Sequence, residues 1–268
     1  NCRKTGQLAQ PPWSVWGKTY LLFVSLTVLF IVRSMSSDYP DSRNSPGADL
    51  SGSEASKRFW WLWLGANVLG FAIATSLALS IQASTDNLKG LYVAGLIVGA
   101  IVGPLQACVI KQQVPRLKRW QWILASIVGS YLGTWVGLLV WGVGLWVAML
   151  VAQLLGHQAA FPGNIVFLVL TVTVYGAVIG GVVSSAQLLS LRRHTQKLRQ
   201  WWMANVLGRT LGWVSGGLLG WLIAETTDLF VENLFVVWGV LFGAVGGSIY
   251  DSVTAKALLI LKSFNSVS

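Results

Sequence analysis

The chain of 268 residues is 54% hydrophobic and only 10% charged, where a soluble domain carries about a quarter charged residues, so most of its surface does not face water. Its net charge of +10 sits largely in short loops between apolar runs, the pattern that orients a membrane protein, which argues against nucleic acid as a partner. Cys2 stands beside the first residue and Cys108 inside an apolar run, a placement that rules out a disulfide framework.

Residues 1–18 are polar and carry Pro11, Pro12, Trp13 and Trp16. The apolar run 20–32 is short for a membrane span and reads as a tilted helix extended by its flanks, or as an interfacial anchor. No small-residue cleavage site follows it to make it a signal-peptide core, and no lipobox precedes Cys2 to mark it for lipidation. Residues 34–58 are rich in Ser, Asp, Gly and Pro, the composition of a solvated linker. The polar N-terminal region therefore covers 1–58.

Six stronger apolar segments follow, at about 59–81, 91–111, 120–150, 164–191, 201–224 and 234–256. Each is too long and too continuously apolar to be anything but a helix in lipid. The expected fold is all-α: a polytopic bundle of six core transmembrane helices over 59–262, with 20–32 as a candidate additional short membrane helix. The third segment exceeds what a span needs, and Gly142 with Gly144 is expected to break or bend it.

Orientation follows from the loops. Lys57 and Arg58 precede the first strong segment; Lys111, Arg116, Lys118 and Arg119 separate the second from the third; Arg192, Arg193, Lys197 and Arg199 separate the fourth from the fifth. The alternate loops carry Asp86 with Lys89, then His157, then Glu225, Asp228 and Glu232. The positive-inside rule puts the basic loops and the C-terminus in the cytoplasm.

Three of the segments open on the same pattern. Trp63, Asn67 and Gly70 recur as Trp122, Ser126 and Gly129, and again as Trp201, Asn205 and Gly208. Two of the intervening segments share a second pattern, a glycine followed seven residues later by glutamine: Gly99 with Gln106, and Gly180 with Gln187. In the last segment Tyr250 stands where that glutamine is expected, next to Asp251. The chain therefore reads as three two-helix repeats.

Counting depth at about 1.5 Å per residue, Asn67, Ser126 and Asn205 fall within about two turns of the starts of their helices. Gln106 and Gln187 fall shortly before basic loops. All five share one level, in the cytoplasmic third of the bilayer. Arg209 is one turn deeper than Asn205, and a charge in lipid costs about 2.5–3.5 kcal/mol or more, so an ion pair between Arg209 and Asp251 is expected. The belt is either glue, in the form of interhelical hydrogen bonds, or a polar site for a ligand, pigment or permeant species.

Glycines repeat at intervals of four, as in Gly95, Gly99 and Gly103 or Gly208, Gly212 and Gly216, which places them on single helix faces where backbones approach closely. Tryptophans, 15 in all, include Trp60, Trp61, Trp63, Trp120, Trp122, Trp201 and Trp202 at the cytoplasmic interface, where an aromatic belt is expected. Trp135, Trp141, Trp146, Trp213 and Trp221 lie deeper, as packing residues or as partners for flat apolar ligands. No metal-ligand spacing, phosphate-binding glycine loop or membrane carboxylate pair is present in the sequence, and no serine has an identifiable base. A non-catalytic protein is expected.

The repeated Trp/Asn/Gly and Gly/Gln helices, ending in Arg-rich loops, resemble a group of multi-pass membrane proteins common in cyanobacteria, over about residues 59–250. That resemblance implies an accessory or structural subunit of a larger membrane complex, with a photosynthetic complex of the thylakoid membrane as one setting. Its partners would be the lipid bilayer and other membrane subunits. In that setting Asn67, Gln106, Gln187, Asn205 or His157 supplies a ligand to pigment magnesium, and chlorophyll or carotenoid is the cofactor. The competing expectation is a small transporter or channel whose polar belt lines the pathway.

Overall fold

The computed structural model describes residues 52–84, 89–154, 165–195, 197–226 and 234–262. The chain divides into two units, Asn1–Asp49 and Leu50–Ser268, and all described residues belong to the second. The apolar run 20–32, the linker as far as residue 51, and His157 lie outside the described residues.

Six helices make up the described structure: α1 (Gly52–Ser84), α2 (Lys89–Ile110), α3 (Arg119–Leu154), α4 (Ile165–Leu191), α5 (Leu198–Thr226) and α6 (Leu234–Lys262), with no strand among the described residues. Each contains one of the six apolar segments read from the sequence. The main difference is at the start of α1, which begins at Gly52, inside the stretch read as linker. Glu54 lies in its first turn, where a negative charge complements the helix dipole. Segments long and apolar enough to cross a membrane occur in four helices: Glu54–Gln82, Val93–Ile110, Arg119–Val147 and Val169–Leu191.

Helix α3 runs unbroken through Gly142 and Gly144 to Leu154, so the expected break is not there. A helical glycine costs only about 1 kcal/mol, whereas opening the helix in an apolar setting leaves backbone groups without partners. Helix α2 likewise continues past Pro104 to Ile110, although proline removes one backbone hydrogen bond.

Each helix packs on its chain neighbours, and α6 returns to pack on α1, so the bundle closes into a ring. Two kinds of glycine contact build it. Within the hairpins, Gly70 meets Val102 and Leu105, Gly129 meets Val183 and Ala186, and Gly208 meets Tyr250. Between hairpins, Gly99 lies against Ser126 and Ile127, Gly180 against Asn205 and Val206, and Gly243 against Phe71 and Thr75. These are the repeat positions, so the sequence repeat is also a three-fold repeat in the packing. A Cβ at Gly99 would come 2.5 Å from Ile127 Cα, and one at Gly180 would come 2.9 Å from Val206 Cα. Only a residue without a side chain permits these approaches.

The turns at one end hold the basic loops. Between α2 and α3, backbone bonds such as Val114 N to Ile110 O (2.9 Å) and Leu117 N to Val114 O (3.0 Å) tie the chain down, and Val114 and Leu117 are buried. Between α4 and α5, Thr195 Oγ1 accepts from Lys197 N at 3.3 Å. This basic end is where the candidate site is built.

Candidate functional site

At the basic end the three repeat tryptophans turn inward. Trp63, Trp122 and Trp201 are all 0% exposed. The Trp201 ring lies 6.3 Å from Trp63 and 5.7 Å from Trp122, centroid to centroid. This corrects their assignment to an interfacial belt. Trp61, Trp120 and Trp202 are the outward-facing ones, because a step of one or two residues rotates a side chain to another face of the helix. Trp63 Nε1 donates to Thr254 Oγ1 at 3.0 Å, which joins α1 to α6, the two ends of the ring.

One turn further in, the belt residues pair within each repeat. Gln106 Nε2 donates to Asn67 Oδ1 at 2.6 Å, Gln187 Nε2 donates to Ser126 Oγ at 3.1 Å, and Tyr250 Oη donates to Asn205 Oδ1 at 2.5 Å. Tyr250 therefore takes the place of the glutamine in the third repeat. The pairs are also cross-linked: Gln187 Nε2 reaches Gln106 Oε1 at 3.4 Å, and the Tyr250 hydroxyl lies near Gln106 and Arg209. Asn67 and Asn205 are anchored by Nδ2 donating to Trp63 O at 2.9 Å and Trp201 O at 3.1 Å. Asn67, Gln187 and Asn205 are 0% exposed and Gln106 is 1% exposed. The belt spans the inside of the ring, and each interhelical bond of this kind contributes about 0.6–2 kcal/mol.

Arg209 is buried beside the belt, with its guanidinium 5.4 Å from the Phe71 ring centroid and 5.1 Å from that of Tyr250. Desolvated cation–π contacts of this kind contribute about 2 kcal/mol. Both carboxylate oxygens of Asp251, and Arg209 Nε, have no hydrogen-bond partner. Arg209 and Asp251 interact electrostatically without a direct hydrogen bond, and it is the Tyr250 ring that packs on the guanidinium.

Beyond Arg209, away from the basic end, the ring encloses a central cavity of about 80 Å³ to which all six helices contribute. Its wall includes Phe71, Thr134, Tyr175, Arg209, Trp213 and Phe242. Aromatic contacts hold the wall together, with Trp213 4.8 Å from Tyr175 and 5.0 Å from Phe242 between ring centroids. Thr75 Oγ1 is already engaged: it lies 2.6 Å from Phe71 O and 2.5 Å from Gly239 O and donates its single proton to one of these two carbonyls.

The structure thus brings together Asn67, Gln106, Gln187 and Asn205, and places Arg209 next to them. The amide oxygens of Asn67, Gln106 and Asn205 accept hydrogen bonds from other belt residues, whereas Gln187 Oε1 is buried without a partner. Sequence reasoning did not find the tryptophan cluster or the aromatic cage around Arg209. The available signal was the seven-residue spacing of Gly243 and Tyr250, in register with Gly99–Gln106 and Gly180–Gln187. Among the described residues, no group of three or more His, Cys, Asp or Glu is placed to hold a metal ion. No family model, curated protein or solved structure matches the chain.

Proposed function

We propose that the chain is an integral membrane protein with six spans, its basic loops on the cytoplasmic side, serving as a non-catalytic accessory or structural subunit of a larger membrane complex. The observation that carries the proposal is the outer half of α3. At about 1.5 Å per residue, its 36 residues extend well beyond a hydrocarbon core of about 30 Å. Beyond the span-length segment Arg119–Val147 the helix stays apolar on its surface: Met149, Leu150 and Leu154 are exposed, Leu154 at 85%. An exposed apolar patch past the span is an interaction surface, and a neighbouring subunit is a natural cover for it. The cyanobacterial resemblance makes a photosynthetic thylakoid complex the first assembly to examine.

The axis supports the same reading. At the basic end it is filled by the buried tryptophans and then by a belt most of whose side chains bind each other. Reconstituted into sealed liposomes, the protein should give ion and solute flux no higher than protein-free vesicles. Flux that is abolished by Gln106→Leu or Arg209→Leu would establish a transporter or channel instead.

A further inference from the structure

We infer that the central cavity is a binding site for a small organic monoanion, a short-chain carboxylate held through its oxygens by Arg209. This inference goes beyond the scaffold role and does not depend on what the ring assembles with.

The cavity has two unlike ends. At one, Arg209 is 5% exposed and lines the space, with its Nε lacking any partner. Phe71 and Tyr250 pack beside its guanidinium, and the edge that carries Nε is left for a ligand. A guanidinium rim matches a carboxylate, which accepts two parallel N–H bonds. Asp251 does not take this role: its oxygens are without hydrogen-bond partners, and it is not among the lining residues.

The other end is apolar, walled by Trp213, Phe242 and Tyr175, and the Tyr175 hydroxyl is engaged with Thr134. A halide would leave this half unfilled, while a hydrocarbon alone would leave Arg209 Nε without an acceptor. A carboxylate with a short apolar tail satisfies both. Size limits the tail, because about 80 Å³ is smaller than the roughly 150 Å³ cavity that accepts benzene. A site with convergent polar groups at one end of an apolar pocket is the usual form of a small-ligand site.

The test is a calorimetric titration of the purified full chain in detergent micelles with sodium propionate, compared with 1-propanol and sodium chloride. Propionate should bind saturably, at least tenfold more tightly than propanol or chloride. Arg209→Met should weaken propionate binding at least tenfold. Ala94→Leu, which narrows the cavity while keeping Arg209, should weaken it to a similar degree and covers the case in which Arg209→Met does not fold. Propionate binding no tighter than propanol or chloride, or unchanged in Arg209→Met or Ala94→Leu, would overturn the inference.

Discussion

Tyr250 does three things at once. Its hydroxyl donates to Asn205, its ring faces the Arg209 guanidinium, and its edge packs on Phe71 with ring centroids 5.6 Å apart. Removing only the hydroxyl separates the first role from the others. Tyr250→Phe leaves Asn205 Oδ1 buried without its donor and should cost about 1–3 kcal/mol, read as a lower unfolding midpoint in detergent. Tyr250→Gln would restore the residue of the other two repeats. It should keep the belt bond but lose the cation–π contact, which makes it a test of how much the ring face contributes. At the same scale, Asn67→Leu removes the acceptor for Gln106 and should destabilise by a similar amount, whereas Trp61→Leu, on an exposed side chain, should fall within about 0.5 kcal/mol of the parent.

At the scale of elements, the glycines decide how closely the helices approach. Gly99→Ala places a methyl against the backbone of Ile127, and the overpacking should cost about 1–3 kcal/mol. Gly65 is the control, because nothing lies within 4 Å of the position its Cβ would occupy. Gly65→Ala should therefore stabilise by about 0.4–1 kcal/mol through the unfolded chain. Thermal unfolding of the two variants side by side checks the sign of each, and equal effects would show that the α2–α3 contact is not as close as described. The six helices among the described residues were legible in outline because continuous apolarity over a span length leaves few alternatives, though the first begins at Gly52, inside the stretch read as linker; the Trp/Asn/Gly and Gly/Gln spacings marked the contacting faces. What was not legible was direction. Trp63 and Trp61 differ by two residues and face opposite environments, and no interfacial-aromatic rule separates them. Depth placed Arg209 and Asp251 near enough to interact, but it did not reveal that the Tyr250 ring packs on the guanidinium. Gly142 and Gly144 misled because glycine's helix penalty is small beside the cost of an open backbone in an apolar setting.

At the scale of the whole molecule, the three hairpins form a ring that α6 closes onto α1, with a polar belt near the basic end and a cavity beyond it. If all six helices span, the basic loops between α2 and α3 and between α4 and α5 share one side of the membrane. In a background with both Cys2→Ser and Cys108→Ser, the single variants Lys118→Cys and Arg193→Cys should both be labelled by an impermeant maleimide from the cytoplasmic face only. Labelling of the two from opposite faces would contradict six spans. The accessory role makes a stronger demand, since the exposed apolar ridge of α3 has to be covered by another protein. The decisive measurement is the subunit composition of the particle extracted from native membranes in mild detergent, by native mass spectrometry. The chain should be found in fixed stoichiometry with other membrane subunits, and Trp146→Glu together with Leu150→Glu should release it. A particle containing this chain alone, as a monomer or a homo-oligomer, would contradict the account.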